Sequence, residues 1–217
     1  MNLFIIATVI IQLFSTVSIG SIISPLPDQH ALAVREFSLK NRYADTFVNN
    51  VFRDNILLTI KYAAGHKMDP KKIEWDSILK PAEEKIVLKP GETFAFHDDV
   101  LPEYKGRVTK TTNAHFNLSD GFKSDGYLAG DGVCHLASIL YWAAKDAGLE
   151  AYAPTRHDFA NIPEVPREYG VSIYATPGEQ STDKAQNLYI TNNREKDVTF
   201  AFNYDGSSLS VNVVEEK

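Results

Sequence analysis

The sequence holds a single cysteine, Cys134, among 217 residues. One sulfur excludes a disulfide framework and any zinc site built from cysteines. No charged side chain precedes Asp28, and no basic stripe follows it; the net charge of −6 argues against a nucleic-acid partner. Glycine and proline are not in excess, at 12 and 10 residues, which excludes collagen-like and low-complexity chains. No internal repeat, no Gly-x-Ser-x-Gly elbow and no phosphate-cradling glycine loop is present. Serine hydrolase and nucleotide enzyme are therefore weak readings.

What is there begins with an uncharged apolar run over residues 3–23, long enough for a membrane-spanning helix. Ser18-Ile19-Gly20 has the small-x-small spacing of a signal-peptidase site. The expectation is export, with residues 1–27 acting as a cleaved signal peptide or a retained membrane anchor. A buried core helix is the bland alternative. Residues 28–45 read as a polar linker leading into a short strand near residues 35–39, and residues 46–217 as one domain.

Within that domain, Val48, Phe52, Ile56 and Ile60 recur every four residues, which predicts a helix over residues 46–64. Residues 85–88 and 93–96 flank Lys89-Pro-Gly-Glu92 as two short strands around a turn. Residues 97–127 read as a long binding loop or lid. Val133, Leu136, Ala137, Leu140, Tyr141 and Ala144 form the stripe of a central helix ended by Gly148. Period-two alternation then predicts strands at 171–175, 187–191, 198–203 and 209–213, with Asp205-Gly206 as a hairpin turn. The fold class is α+β: two main helices on a largely antiparallel sheet, with a C-terminal hairpin.

The chemistry concentrates in Gly130-Asp-Gly-Val-Cys-His135. With Asp131 as N-cap, Cys134 falls in the first helical turn, where backbone N–H groups and the helix dipole favour a thiolate. The Asp131 carboxylate opposes this. Gly130 and Gly132 would admit a substrate backbone, with Tyr127, His115 and Ser138 as further contacts. Cys134 is equally readable as a packed small hydrophobe or an intermolecular bridge. His135, adjacent in sequence, is a poor base for it; His157, after a short strand at 150–153, is better placed. His97-Asp-Asp99, His115 and His157-Asp158 offer metal donors, but without compact ligand spacing, so no metal or other cofactor is expected.

Pro90-Gly-Glu-Thr-Phe-Ala-Phe96, Gly126-Tyr127, Gly130-Asp-Gly-Val-Cys-His-Leu-Ala-Ser138, Leu140-Tyr141, Ala147-Gly-Leu149 and His157 resemble the VanW-like family. Arg53-Asp-Asn-Ile56 and the closing strands fit the same pattern. The resemblance implies a bacterial cell-envelope protein linked to glycopeptide resistance, whose molecular activity is not defined. The family pattern resembles Gly-Gly-Gly-x-Cys-Gln, whereas Asp131 and His135 stand here in the second and last of these places. Ser172 stands where an Asp is usual. Two functions follow as expectations. One is a thiol amidase, peptidase or acyl transferase on peptidoglycan stem peptide, with Cys134 as nucleophile and His157 as base. Asp158 or Ser172 would orient that base and His135 would face the oxyanion. The other is a non-catalytic cell-wall-binding module gripping its ligand through Tyr104, His115, Phe116 and Phe122. A scaffold protein is a third. The expected partners are peptidoglycan and, through an uncleaved leader, the membrane.

Overall fold

The computed structural model describes residues 29–176 and 183–216. The apolar run at 3–23 lies outside these residues; within them, no helix is long and apolar enough to cross a membrane. The strands, in chain order, are β1 (Gln29–Ser38), β2 (Ala82–Leu88), β3 (Thr93–Ala95), β4 (Val108–Thr111), β5 (Glu150–Tyr152), β6 (Tyr189–Thr191), β7 (Val198–Tyr204) and β8 (Ser208–Glu216). The helices are α1 (Thr46–Ala63), the one-turn α2 (Trp75–Ile78) and α3 (Val133–Asp146). Among the described residues the strands form two four-stranded sheets, ordered β1-β8-β7-β2 and β4-β3-β6-β5. All pairings are antiparallel except β3 with β4. The fold is α+β.

Helix α1 starts because the Asp45 side chain accepts the Val48 N–H at 3.0 Å, capping a donor left free by the first turn. Gly65 follows it at φ +86°, a conformation that lets the chain turn away. Of the four-residue series, Ile56 and Ile60 are buried, with Val51 and Leu57 beside them, while Val48 and Phe52 are half-buried and Phe47 is exposed. Helix α3 buries Leu136, Ala137, Ile139, Leu140, Ala143 and Ala144, so its apolar surface is wider than the predicted stripe. Phe37, Leu88, Phe200, Phe202 and Val211 from the first sheet join Phe94, Leu188 and Ile190 around the second in one core with both helices. Asp205 turns β7 into β8 by accepting the N–H groups of Ser207 and Ser208, both at 2.7 Å.

Three local expectations are corrected. Residues 29–38 are not linker: they pair with β8 along its length and form the sheet edge. The two strands expected either side of Lys89-Pro-Gly-Glu92 are present, and they pair apart: β2 with β7, β3 with β4 and β6. The turn therefore passes the chain between sheets. Residues 171–175 make only one isolated bridge, Val171 with Arg156. The stretch 97–127 is not one open loop, since it contains β4 and two 3-10 turns.

Candidate functional site

The start of α3 is built by contacts between distant backbone segments. Gly132, not Asp131, is the N-cap, at φ +99°. A Cβ at Gly132 would stand 2.6 Å from the carbonyl oxygen of Phe52 on α1; at Gly130, at φ +81°, it would stand 2.4 Å from the Phe116 oxygen. The space these glycines provide is filled by the protein's own backbone, which corrects their expected use in admitting a substrate. Asn55, fully buried on α1, locks the same approach. Its amide donates to the carbonyls of Lys123 at 3.0 Å and Asp131 at 2.9 Å, and its oxygen accepts the Lys123 N–H at 2.8 Å.

Cys134 therefore sits at the second position of α3, partly buried. Its sulfur accepts the Ile173 N–H at 3.4 Å and donates to the Ile173 carbonyl at 3.6 Å. Burial pushes its thiol pKa up; the Ile173 N–H and its own N–H pull down, and the Asp131 carboxylate adds to the upward push. The expected resting thiolate is thus disfavoured. Ser138, one turn on and fully buried, donates to the Cys134 carbonyl at 2.7 Å and accepts the Val171 N–H at 2.8 Å. It fastens the 171–173 segment to the helix.

His157 does come back to the start of α3, but beside His135, with ring centroids 6.4 Å apart at 81°. The tautomers follow from the partners. Arg42 can only donate, and its Nε lies 3.2 Å from His135 Nδ1, so the His135 proton is on Nε2. The Ala160 carbonyl can only accept, and it lies 3.0 Å from His157 Nδ1, so His157 Nε2 carries a bare lone pair. The two rings thus offer one N–H and one lone pair. Both are buried. Burial holds the His135 pKa well below the usual imidazole range, reinforced by Arg42 and His157. Burial also lowers His157, opposed by its bond to Ala160 and weakly by Asp158. At neutral pH the pair is uncharged.

Ala160 therefore orients His157, and the two expected orienters do not. Asp158 is exposed and lies 3.6 Å from Arg156 Nε; the Ser172 N–H donates to the Thr155 carbonyl. Around the pair, Tyr43 stacks on His135 at 6.0 Å, Phe52 lies 4.9 Å from it, and Phe159 covers His157 at 3.9 Å. Asp131 Oδ2 accepts the Asp125 N–H at 3.2 Å; burial and the Asp125 carboxylate raise its pKa. Tyr104, Phe116 and Phe122, expected to grip a ligand, are in the core. The exposed large apolar side chains are elsewhere. They include Tyr127 at 91%, Phe159 at 77%, Leu128 at 67% and Tyr174 at 58% exposure. Phe159 stands two residues after His157, Tyr174 next to Ile173, and Tyr127 and Leu128 on the loop that Asp125 and Asp131 tie to the helix start.

Arg42 and Ala160 are not among the residues the sequence singles out, and Asn55 is there only within Arg53-Asp-Asn-Ile56, with no role attached. Asn55 had a visible signal, a polar residue beside Ile56 inside an apolar helical face. Arg42 and Ala160 had none, because their partners are remote or main-chain atoms.

A family model described as VanW like protein matches residues 81–214, more than half of the chain. No curated protein and no solved structure matches it. The matched span includes the Cys134 helix, His157 and the closing strands, while Arg42 and Asn55 precede it. The chain belongs to the family of VanW-like proteins.

Proposed function

We propose that this VanW-like chain is an exported cell-envelope protein that binds peptidoglycan or its stem peptide as an accessory module, without cleaving it. The observation that carries the non-catalytic reading is the hold on Cys134: its sulfur is engaged by both backbone groups of Ile173, and its proton is retained. A nucleophile would need the opposite, a lowered pKa and a base in contact. The binding face is the surface around the start of α3, where Tyr127, Phe159 and Tyr174 supply apolar area to stack on a sugar or a peptide side chain. The neutral His135–His157 pair offers a donor and an acceptor, the complement of an amide's carbonyl and N–H. Export rests on the apolar run at residues 3–23.

The thiol-hydrolase reading keeps one favourable observation, the bare Nε2 of His157 at the helix that carries Cys134. Titrating purified full chain with soluble muropeptides, followed by mass spectrometry of the mixture, separates the two. Saturable binding preserved in Cys134→Ala and weakened in Phe159→Ala, with the muropeptides intact, is the expected result. A new product that forms with wild type and disappears in Cys134→Ala overturns the binding-module reading.

A further inference from the structure

We propose that His97, Asp98, Asp99 and His115 bind one divalent transition-metal ion of the Zn²⁺ class. Ligand atoms from His97, Asp98 and Asp99 already lie within 4.8 Å of one another, the one such convergence among the described residues. His115 brings a second imidazole, its Nε2 3.7 Å from Asp98 Oδ1. Two nitrogens and two carboxylates form a donor set suited to zinc.

The unspent groups point the same way. His97 is fully buried, and its Nε2 lies 3.0 Å from the Gln186 carbonyl, which can only accept. The proton is therefore on Nε2, and Nδ1 is the bare nitrogen. Asn187 Nδ2 approaches that nitrogen at 3.5 Å, but its two hydrogens go to the carbonyls of His97 and Asp99, both at 3.1 Å. Nδ1 is left with a lone pair and no proton to receive. A histidine that gives its other N–H to a main-chain carbonyl is the arrangement that orients metal-binding imidazoles. Asp99 is 8% exposed, and its carboxylate has no hydrogen bond and no ion pair among the described residues. The carboxylate oxygens keep contact with solvent, so they are open to an incoming ion. At His115, the second nitrogen, Nδ1, faces Asp120 Oδ2 at 3.9 Å, while that same oxygen accepts the His115 N–H at 2.6 Å.

The scaffold is rigid before any ion arrives. The Asn187 side-chain oxygen accepts the N–H groups of Phe96 and Leu188, both at 2.8 Å, and its amide holds the 97–99 turn from below. Ligand atoms around a tetrahedral zinc stand about 3.3 Å apart, so His97, Asp98 and Asp99 must draw in from their present spacing, and His115, which touches the group only through the exposed Asp98, must swing towards it. A bound ion would tie the exit of β3 to residue 115. The next residue, Phe116, supplies the carbonyl against which Gly130 is seated. The site is thereby connected to the start of α3 without sharing a residue with it.

The test is zinc binding by tag-free full chain, with Zn²⁺ alone as the probe, for wild type, Asp98→Ala and Asp99→Asn. The wild type is expected to bind one ion per chain, to melt at a higher temperature when loaded, and to show His97 and His115 ring resonances moved by zinc. Both variants should weaken binding by at least about tenfold. Asp98→Ala, at an exposed position, should keep the apo melting temperature, so its loss of binding reports ligation and not unfolding. Absence of saturable binding, binding unchanged in both variants, or zinc shifts confined to the other histidines would overturn the proposal. None of these readouts involves a cell-wall ligand, so the result stands apart from the binding-module reading.

Discussion

The Nε–H of Arg42 points at Nδ1 of His135 across 3.2 Å, and this contact fixes which nitrogen of the imidazole carries the proton. The guanidinium has no exposed side-chain surface and also donates to the carbonyls of Ser38 and Pro163, with the Glu164 carboxylate 3.6 Å away. One side chain thus joins the end of β1, the loop at 163–164 and the first turn of α3.

Arg42→Met should therefore destabilise the fold by about 3 kcal/mol, because it leaves the buried His135 Nδ1 and the part-buried carbonyls of Ser38 and Pro163 without a donor. Urea unfolding measures this. The same substitution removes a positive charge beside His135, so the His135 pKa should move up, although burial keeps it below the usual range. A titration followed by NMR in which the His135 resonance does not move would contradict the contact.

Stability should fall as the solution becomes mildly acidic. His97, His135 and His157 all have folded pKa values lowered by burial. Below about pH 6.5 the unfolded chain takes up protons that the folded one refuses, so their contribution is complete above that pH and is lost as pH falls towards the folded values. Glu84 and Glu215, whose pKa values are lowered by Lys61 and Arg194 contacts, lose their contribution at still lower pH. Thermal midpoints should drop between pH 7.5 and 5, and His135→Gln should flatten the curve. Midpoints that stay level over that range would show that the rings are solvated.

Gly132→Ala and Gly148→Ala form a controlled pair. Both positions have positive φ, +99° and +72°, but a methyl group at Gly148 meets nothing within 4 Å, whereas at Gly132 it meets Phe52 backbone. Gly148→Ala should cost about 1 kcal/mol from the left-handed backbone alone. Gly132→Ala should cost about 3 kcal/mol or more, since α1 and α3 must separate. Equal losses in denaturant unfolding would remove the close approach as the reason for glycine.

The parts of this fold that were legible in the sequence are those with local causes. Helix α3 follows from its apolar spacing, and the β7–β8 turn from Asp205-Gly206, because each depends on residues a few places apart. Only the end of β1, near residues 35–39, reads as strand, and its start reads as linker, because its partner β8 lies far along the chain. The Lys89-Pro-Gly-Glu92 turn is local and legible, but the partners of its strands are not, because β7 and β6 lie about 100 residues on. At the site, spacing correctly brought His157 back to the α3 start. It could not tell that the imidazole would meet His135 and Ala160, since both depend on how the 155–165 segment packs.

Cys134 decides between a reactive and a structural sulfur, and alkylation kinetics read that choice directly. Its folded pKa is raised, first by burial. At any pH below that value the folded protein holds a smaller thiolate fraction than the unfolded chain, whose thiol titrates near about 8.5. Iodoacetamide should therefore react more slowly with native protein than with protein in urea at every pH from 6 to 8.5. The same shift makes folding favour the protonated thiol: its contribution is fully present below the unfolded pKa and is lost as pH rises through the folded one. Cys134→Ala should then remove that alkaline loss, at a cost of about 1 kcal/mol for the vacated contacts with Ile173. Fast native alkylation with a midpoint below that of the unfolded chain would instead mean that the sulfur leaves Ile173 readily, and the hydrolase reading would take precedence.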